Sequence, residues 1–415
     1  MSYALHITNA DLKDKSPLAR NNFIKLIGVS LVGLFLPAIL WFEYHLSLSQ
    51  IFLLEALFGL LMMLHLNFRT LKFTARYGAV PAMFLGISMF VAYFVILSIA
   101  REISWVIWLL PLIGSTYTAL FWTGYHSTMV QWVSHDKHFG IHQATIESAW
   151  IMAWLLGPLL GGLVADTWGT SYLYLIASIC LCISCIPFLF HQRKHIQVTY
   201  SPPSLKRCLH MIKTPATRSI FVTFSTLWYI DFVANIVWPI ILFALLNTYT
   251  KVALVSFLST IVVLCIMRII GKRSDAKRSQ QQLLEKRIHY SFRWQGSVRL
   301  FAGISLISGF FSQLAFVVID TVHKITHKAN HSYTMTQWYK ITWAQENLPN
   351  ALDMIYFREL AIHSIKCIAC VLLALLSYLL PDTLWWLILP LFWVSLLIFF
   401  SFHFLTLTQT HKHEI

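Results

Sequence analysis

Apolar stretches of about twenty residues, the length a helix needs to cross a bilayer core, recur along the chain and are separated by short polar segments. A first group falls at roughly 22–41, 48–66, 78–99, 105–130, 146–165 and 171–191. A second group falls at roughly 218–246, 252–270, 303–324, 356–379 and 383–405. Between them runs a basic, proline-containing connector, 192–217, with Tyr200-Ser-Pro-Pro203 and Lys206-Arg207. Eleven spans leave the termini on opposite faces. A twelfth candidate at 283–301 carries Lys286, Arg287, Arg293 and Arg299. With it the chain reads as an N-terminal segment 1–21, a six-helix unit 22–191, the connector, a second six-helix unit 218–405 and a tail 406–415.

The basic residues test that count, because cytoplasmic loops retain Lys and Arg. With twelve spans and the N-terminus inside, 26 of the 31 Lys and Arg fall in or at the edges of cytoplasmic segments, Arg101 and Lys251 fall on the outer side, and Arg293, Arg299 and Lys366 are left within spans. Omitting the weak span puts Lys324, Lys328, Lys340 and Arg358 outside. The same distribution explains the net charge of +14 without a nucleic-acid partner. Composition agrees: the chain is 57% hydrophobic and 12% charged, too apolar for a soluble protein of this length. The expected class is therefore an all-α polytopic membrane protein. Seven cysteines show neither zinc-ribbon spacing nor a paired framework, and no cofactor is called for.

The most informative stretch is Trp154-Leu-Leu-Gly157-Pro158-Leu-Leu-Gly161-Gly162-Leu-Val-Ala-Asp166. Gly157 and Gly161 lie four apart on one helical face, where a neighbouring backbone can approach closely. Pro158 removes a backbone donor and permits a kink. The run resembles the Gly-Pro-x-x-Gly-Gly signature on the fifth helix of the major facilitator superfamily, with Ala153 where that family usually has a further glycine.

Two partial loop motifs, each similar to the family's Gly-x-x-x-Asp-Arg-x-Gly, stand at matching places. Leu71 to Gly78 keeps Arg76 and Gly78 but has Ala75 for the Asp; Gly271 to Arg278 keeps Gly271 and Asp275. Glu147-Ser-Ala opens the fifth span and Glu359-Leu-Ala, preceded by Arg358, opens the eleventh. The resemblance implies two pseudo-symmetric six-helix halves, rocker-switch transport of a small solute, and a gating role for these residues. It also implies that Asp275 latches onto the start of the fifth helix near Glu147, since a carboxylate there meets unpaired amides and the positive dipole end. A solvated loop carboxylate is the plainer account of Asp275.

Charges inside spans mark candidate pathways. Asp231 lies mid-span in Trp228-Tyr229-Ile-Asp231, with Asn235 one turn on; a hydrogen-bonded structural Asp fits as well as a cavity-lining one. Glu359, His363, Lys366 and Cys370 form one polar stripe on a helix, and Glu55 is the only carboxylate of the second span. Both Glu55 and Lys366 approach the midplane, so they can pair as a gate, unless Lys366 reaches back to the cytoplasmic side. Tyr125 and His126 add polar tips to the fourth span. The family's fourth-helix arginine motif is absent between Leu112 and Val130.

Few fixed charges among many aromatics favour a neutral, amphipathic or weakly cationic solute. Two histidine sets, His135, His138 and His142, and His323, His327 and His331, lie beyond the fourth and tenth spans. The second has i, i+4, i+8 spacing able to hold a metal, although neighbouring lysines oppose one. The other readings are a non-transporting sensor or scaffold and a membrane metalloenzyme; against the latter, none of the 18 histidines are adjacent. The expectation is a monomer in a lipid bilayer, specifically a prokaryotic inner membrane, with both termini cytoplasmic.

Overall fold

The computed structural model describes residues 16–68, 70–133, 139–189, 206, 235–274, 317–318, 320–322, 324–325 and 351–379. The described residues are all helical or in short turns. The helices are α1 (Ser16–Gly33), α2 (Leu36–Phe42), α3 (Leu48–Phe68), α4 (Thr70–Tyr77), α5 (Ala79–Ala100), α6 (Leu110–Val133), α7 (Phe139–Trp168), α8 (Thr170–Ser184) and α9 (Ile186–Leu189). After the connector come α10 (Asn235–Leu246), α11 (Tyr249–Ser274) and α12 (Ala351–Leu379). Residues 317–318, 320–322 and 324–325 are also helical.

Six stretches among the described residues are long and apolar enough to cross a membrane: Arg20–Phe42, Leu48–His65, Ala79–Ala100, Ser104–Thr128, Ala149–Trp168 and Ile355–Leu379. The protein is an integral membrane protein. Each stretch falls within a few residues of a span expected from the sequence. The expected spans at 283–301 and 383–405 lie outside the described residues. Below, the near face is the membrane face where α1 begins, and the far face is the one reached at Phe42.

The first span is two helices in series. α1 stops at Gly33, and α2 restarts with a proline in its first turn, where a missing amide costs no intrahelical bond. The segment 71–78, expected as a loop, contains helix α4. It ends at Gly78, whose φ of +95° is open to glycine but strained for L side chains. An added Cβ there would meet only Pro81 at 3.8 Å, so backbone conformation rather than space demands the glycine. Gly271, also expected in a loop, lies in the last turns of α11.

Close helix approach recurs. A Cβ at Gly86 on α5 would lie 2.9 Å from the Phe121 nitrogen on α6, and one at Gly124 on α6 would lie 2.7 Å from the Ala79 carbonyl oxygen. Phe90 stacks on Tyr117 with centroids 4.1 Å apart. Leu156, Leu160 and Leu163 on α7 and Leu175 and Ile179 on α8 are exposed, as lipid-facing side chains are. Trp105 and Trp168, both exposed, stand at helix ends, the depth at which tryptophan anchors to the interface.

Candidate functional site

The glycines of the α7 motif divide their work between two neighbours. A Cβ at Gly157 would run into the Ser30 side chain, and one at Gly161 would run into the Leu31 carbonyl; both belong to α1. Ser30 Oγ donates to the Ala153 carbonyl across the same contact at 2.9 Å. Gly162 serves α11 instead: a Cβ there would lie 2.8 Å from the Tyr249 carbonyl oxygen and 2.9 Å from Ala253 Cβ. α7 runs unbroken through Pro158.

One turn past Gly162, Asp166 caps the start of α11. Its Oδ1 accepts the Tyr249 amide at 3.1 Å and its Oδ2 accepts the Thr250 amide at 2.7 Å. These two donors have no intrahelical partner at a helix N-terminus, and a carboxylate there also meets the positive end of the dipole.

Glu43, just beyond α2, ties the same corner together. Its Oε1 accepts the Tyr249 hydroxyl at 2.5 Å and its Oε2 accepts Thr170 Oγ1 at 2.7 Å. Arg101 donates to Glu43, to Thr170 and to Ser171, the last at 3.1 Å. Partial burial works against the Arg101 charge, but Glu43 outweighs it and holds the guanidinium above its ordinary value. Burial likewise raises the Tyr44 phenol, which donates to the Leu97 carbonyl at 2.5 Å. At the far face, then, elements from both sides of the connector are joined by two carboxylates, a glycine contact and the ring contacts of Phe35 with Tyr249 and of Phe42 with Phe243.

Toward the near face, α12 packs on α3 and α6. Glu55 Oε2 lies 2.6 Å from Lys366 Nζ, which also sits 4.0 Å from the Phe58 ring centre. A Cβ at Gly59 would come 3.1 Å from the His363 carbonyl oxygen and 3.3 Å from Cys367 Cβ. Met63 Sδ accepts from Ser364 Oγ at 3.2 Å.

Deeper toward the near face, buried Arg358 pairs with Glu359 at 2.5 Å and reaches across to His126 Nε2 at 2.7 Å. His363 Nε2 lies 3.4 Å from Glu359 Oε2. His126 stacks on Trp122 with centroids 5.5 Å apart, and Tyr125 meets the same indole edge-on at 5.3 Å. Over these rings sits Lys25 of α1. Its Nζ is 3.5 Å from the Phe121 ring centre and 4.6 Å from that of Trp122. Lys25 is 1% exposed, and its Nζ has no hydrogen-bond partner.

The structure thus brings together Glu55 with Lys366, and His126 with Arg358 and Glu359. Asn235 is the exposed first residue of α10, and Arg76 is exposed beside Tyr77. Trp228, Tyr229, Asp231 and Asp275 lie outside the described residues, as do the side chain of Glu147 and those of His323, His327 and His331. Asp320, one turn before the second histidine set, accepts from Ser259 and pairs with Lys324 at 2.8 Å. Lys324 is further held by Ser256 and Thr260 of α11. Among the described residues no three metal-ligating side chains form a cluster.

The profile of the Major Facilitator Superfamily matches residues 21–284, well over half of the chain and including the whole glycine motif. The chain belongs to the Major Facilitator Superfamily. Membership places it among membrane transport proteins. No curated protein matches the chain.

Sequence reasoning missed three groups in this superfamily member. Lys25 lies five residues inside the first span, where a lysine ordinarily reaches back to water; the structure covers it with two aromatic rings instead. Glu43 and Tyr249 stand at helix ends, and their meeting depends on tertiary contact alone. Asp166 was visible as the residue that closes the glycine motif, but nothing in the sequence names its partner.

Proposed function

We propose that the protein is a secondary active transporter that moves a small solute by alternating access. The helices before the connector rock against those after it, in a twelve-span, two-unit arrangement with both termini cytoplasmic. The bilayer is a prokaryotic inner membrane and the working unit a monomer. One observation carries this reading: the contacts between helices on the two sides of the connector gather in separate sets along the membrane normal. At the far face they include Gly162 against Tyr249 and Ala253, the Asp166 and Glu43 hydrogen bonds, and the ring contacts of Phe35 with Tyr249 and of Phe42 with Phe243. At mid-depth Glu55 pairs with Lys366, and toward the near face Arg358 meets His126. The two end sets can be exchanged one at a time around a site between the units.

The test uses a reversible lock. Phe42 and Phe243 meet across the far face with ring centres 4.9 Å apart, and replacing them adds no atom to a tight glycine contact. Phe42→Cys with Phe243→Cys, in a background without the native cysteines, is reconstituted in liposomes and screened against labelled organic solutes under an imposed ion gradient, before and after bridging by a short bis-methanethiosulfonate reagent that reductant removes. Accumulation that the bridge blocks and reductant restores is the expected result. Absence of flux for every solute with the unbridged protein counts against transport, and flux indifferent to the bridge counts against rocking at this face.

A further inference from the structure

Lys25 is the buried cation that nothing in the described structure explains. Arg358 has Glu359, Lys366 has Glu55 and Lys324 has Asp320. Lys25, at 1% exposure, has no hydrogen-bond partner for its Nζ and no described carboxylate in ion-pair range. Counting from Arg20, the start of its span, it lies about 7.5 Å into the bilayer. An ammonium so placed forfeits its hydration, and the faces of Phe121 and Trp122 return only part of that loss. Asn22, one turn earlier, is 2% exposed, and its Oδ1 also lacks a partner. Two adjacent polar groups of one helix face are thus buried and unfulfilled, whereas native interiors satisfy such groups.

We propose that Lys25 binds the carboxylate of an apolar organic monocarboxylate, with Phe121 and Trp122 receiving the apolar body. The chemistry sets this class. One ammonium matches one negative charge, while a phosphate would call for convergent arginines or lysines, and among the described residues none joins Lys25. The aromatic surfaces beside it suit a ring or alkyl chain. The Asn22 amide supplies a hydrogen bond to the second carboxylate oxygen once its oxygen and nitrogen exchange places, an orientation that tight packing does not fix.

The site is also wired to a contact between the units. Trp122, which covers Lys25, stacks on His126, and His126 holds Arg358 of α12. An anion that draws the ammonium off the rings disturbs the indole against which His126 rests, so occupancy is felt where α6 meets α12. This assignment gives the transport reading its solute class and replaces the neutral or cationic solute expected from composition. Equilibrium binding tests it without any flux, so a protein that binds but does not transport overturns the transport reading and leaves the site standing.

The experiment measures binding of radiolabelled benzoate, phenylacetate and octanoate to the detergent-purified full chain, with unlabelled benzamide as the neutral counterpart of benzoate. The expected result is saturable binding of at least one carboxylate that benzamide fails to displace. Lys25→Met should weaken it by at least about tenfold, and Lys25→Arg should retain it within a few-fold. If Lys25→Met does not fold, the benzamide comparison on the unmodified protein decides. Displacement by benzamide equal to that by benzoate, undiminished binding to Lys25→Met, or no saturable binding of any of the three acids overturns the proposal.

Discussion

Gly162→Ala is the smallest change that separates the two faces. The added Cβ would stand 2.8 Å from the Tyr249 carbonyl oxygen, 2.9 Å from Ala253 Cβ and 3.0 Å from the Tyr249 carbonyl carbon, where ordinary contact begins at 3.4 Å. Two of these three atoms are backbone, so no rotamer relieves the clash and the start of α11 must recede by about 0.6 Å. That recession also stretches the Tyr249 amide bond to Asp166, already 3.1 Å, beyond hydrogen-bond range. Overpacking of this kind costs about 1–3 kcal/mol. Here the cost falls only on the arrangement in which the far face is closed, so it shifts a two-state equilibrium by roughly 5- to 150-fold. Spin labels at Trp168 and Lys251, both exposed at the far ends of α7 and α11, read the shift as growth of a longer distance at the expense of the short one. Gly161→Ala is the control, because it meets Leu31 of α1 on the same side of the connector. It should lower the melting temperature and leave the distance distribution unchanged. Identical distributions for Gly162→Ala and the parent would refute the claim that this glycine holds the far face closed.

Three shorter predictions concern other positions. Glu55→Gln and Lys366→Met should each lower the melting temperature, while the double variant should recover part of the loss, with a coupling of about 0.5–3 kcal/mol; strict additivity would separate the two residues. Gly78→Ala should destabilise by about 1–3 kcal/mol, because φ +95° with ψ 167° is a backbone region essentially confined to glycine; stability equal to that of the parent would remove the backbone argument. Glu359→Gln leaves Arg358 buried without its carboxylate and should cost about 3–5 kcal/mol, far more than Asp166→Asn at the exposed cap of α11, where about 0.5–2 kcal/mol is expected. Reversal of that order in denaturation midpoints would contradict the burial difference between the two carboxylates.

What was legible in the sequence follows the physics of each feature. The spans were legible because a bilayer imposes a length and a composition on each helix. The glycine motif was legible because close backbone approach restricts residue size at fixed helical spacing. The polar stripe of α12 was legible by periodicity, and the structure sets it against α3. Helix α4 was not, although its eight residues set apolar and polar side chains on opposite faces, because so short a segment between two spans was read through its likeness to a loop motif. Gly271 misled for a related reason. A glycine costs a helix only about 1 kcal/mol, which the 26 residues of α11 absorb. The far-face cluster was illegible altogether: Glu43, Arg101, Asp166, Thr170 and Tyr249 come from separate helix ends, where a charged or hydroxyl residue usually just meets water.

The two contacts made by α12 differ in what motion would ask of them. Arg358 and Glu359 are neighbours on one helix and travel together, so parting α12 from α6 breaks the Arg358 to His126 hydrogen bond and leaves the Arg358 to Glu359 pair intact. A bond to a charged group is worth about 1.5–3 kcal/mol, and water entering the gap rehydrates the pair and offsets part of that. Glu55 and Lys366 sit on different helices and have no such freedom. Their depth resolves the difficulty: Glu55 is about 10 Å from the far end of its span and Lys366 about 16 Å from the near end of its own. Both are therefore near the middle of the bilayer, where two units rocking past one another move least. In the proposed cycle this pair acts as a pivot that persists while the ends exchange contacts, rather than as a gate that opens. A pivot lowers stability when it is removed without changing which face is open, whereas Gly162→Ala changes the open face. Distance measurements on Glu55→Gln and Gly162→Ala therefore distinguish the two roles, and a far-face distribution displaced by Glu55→Gln would return the pair to the gate.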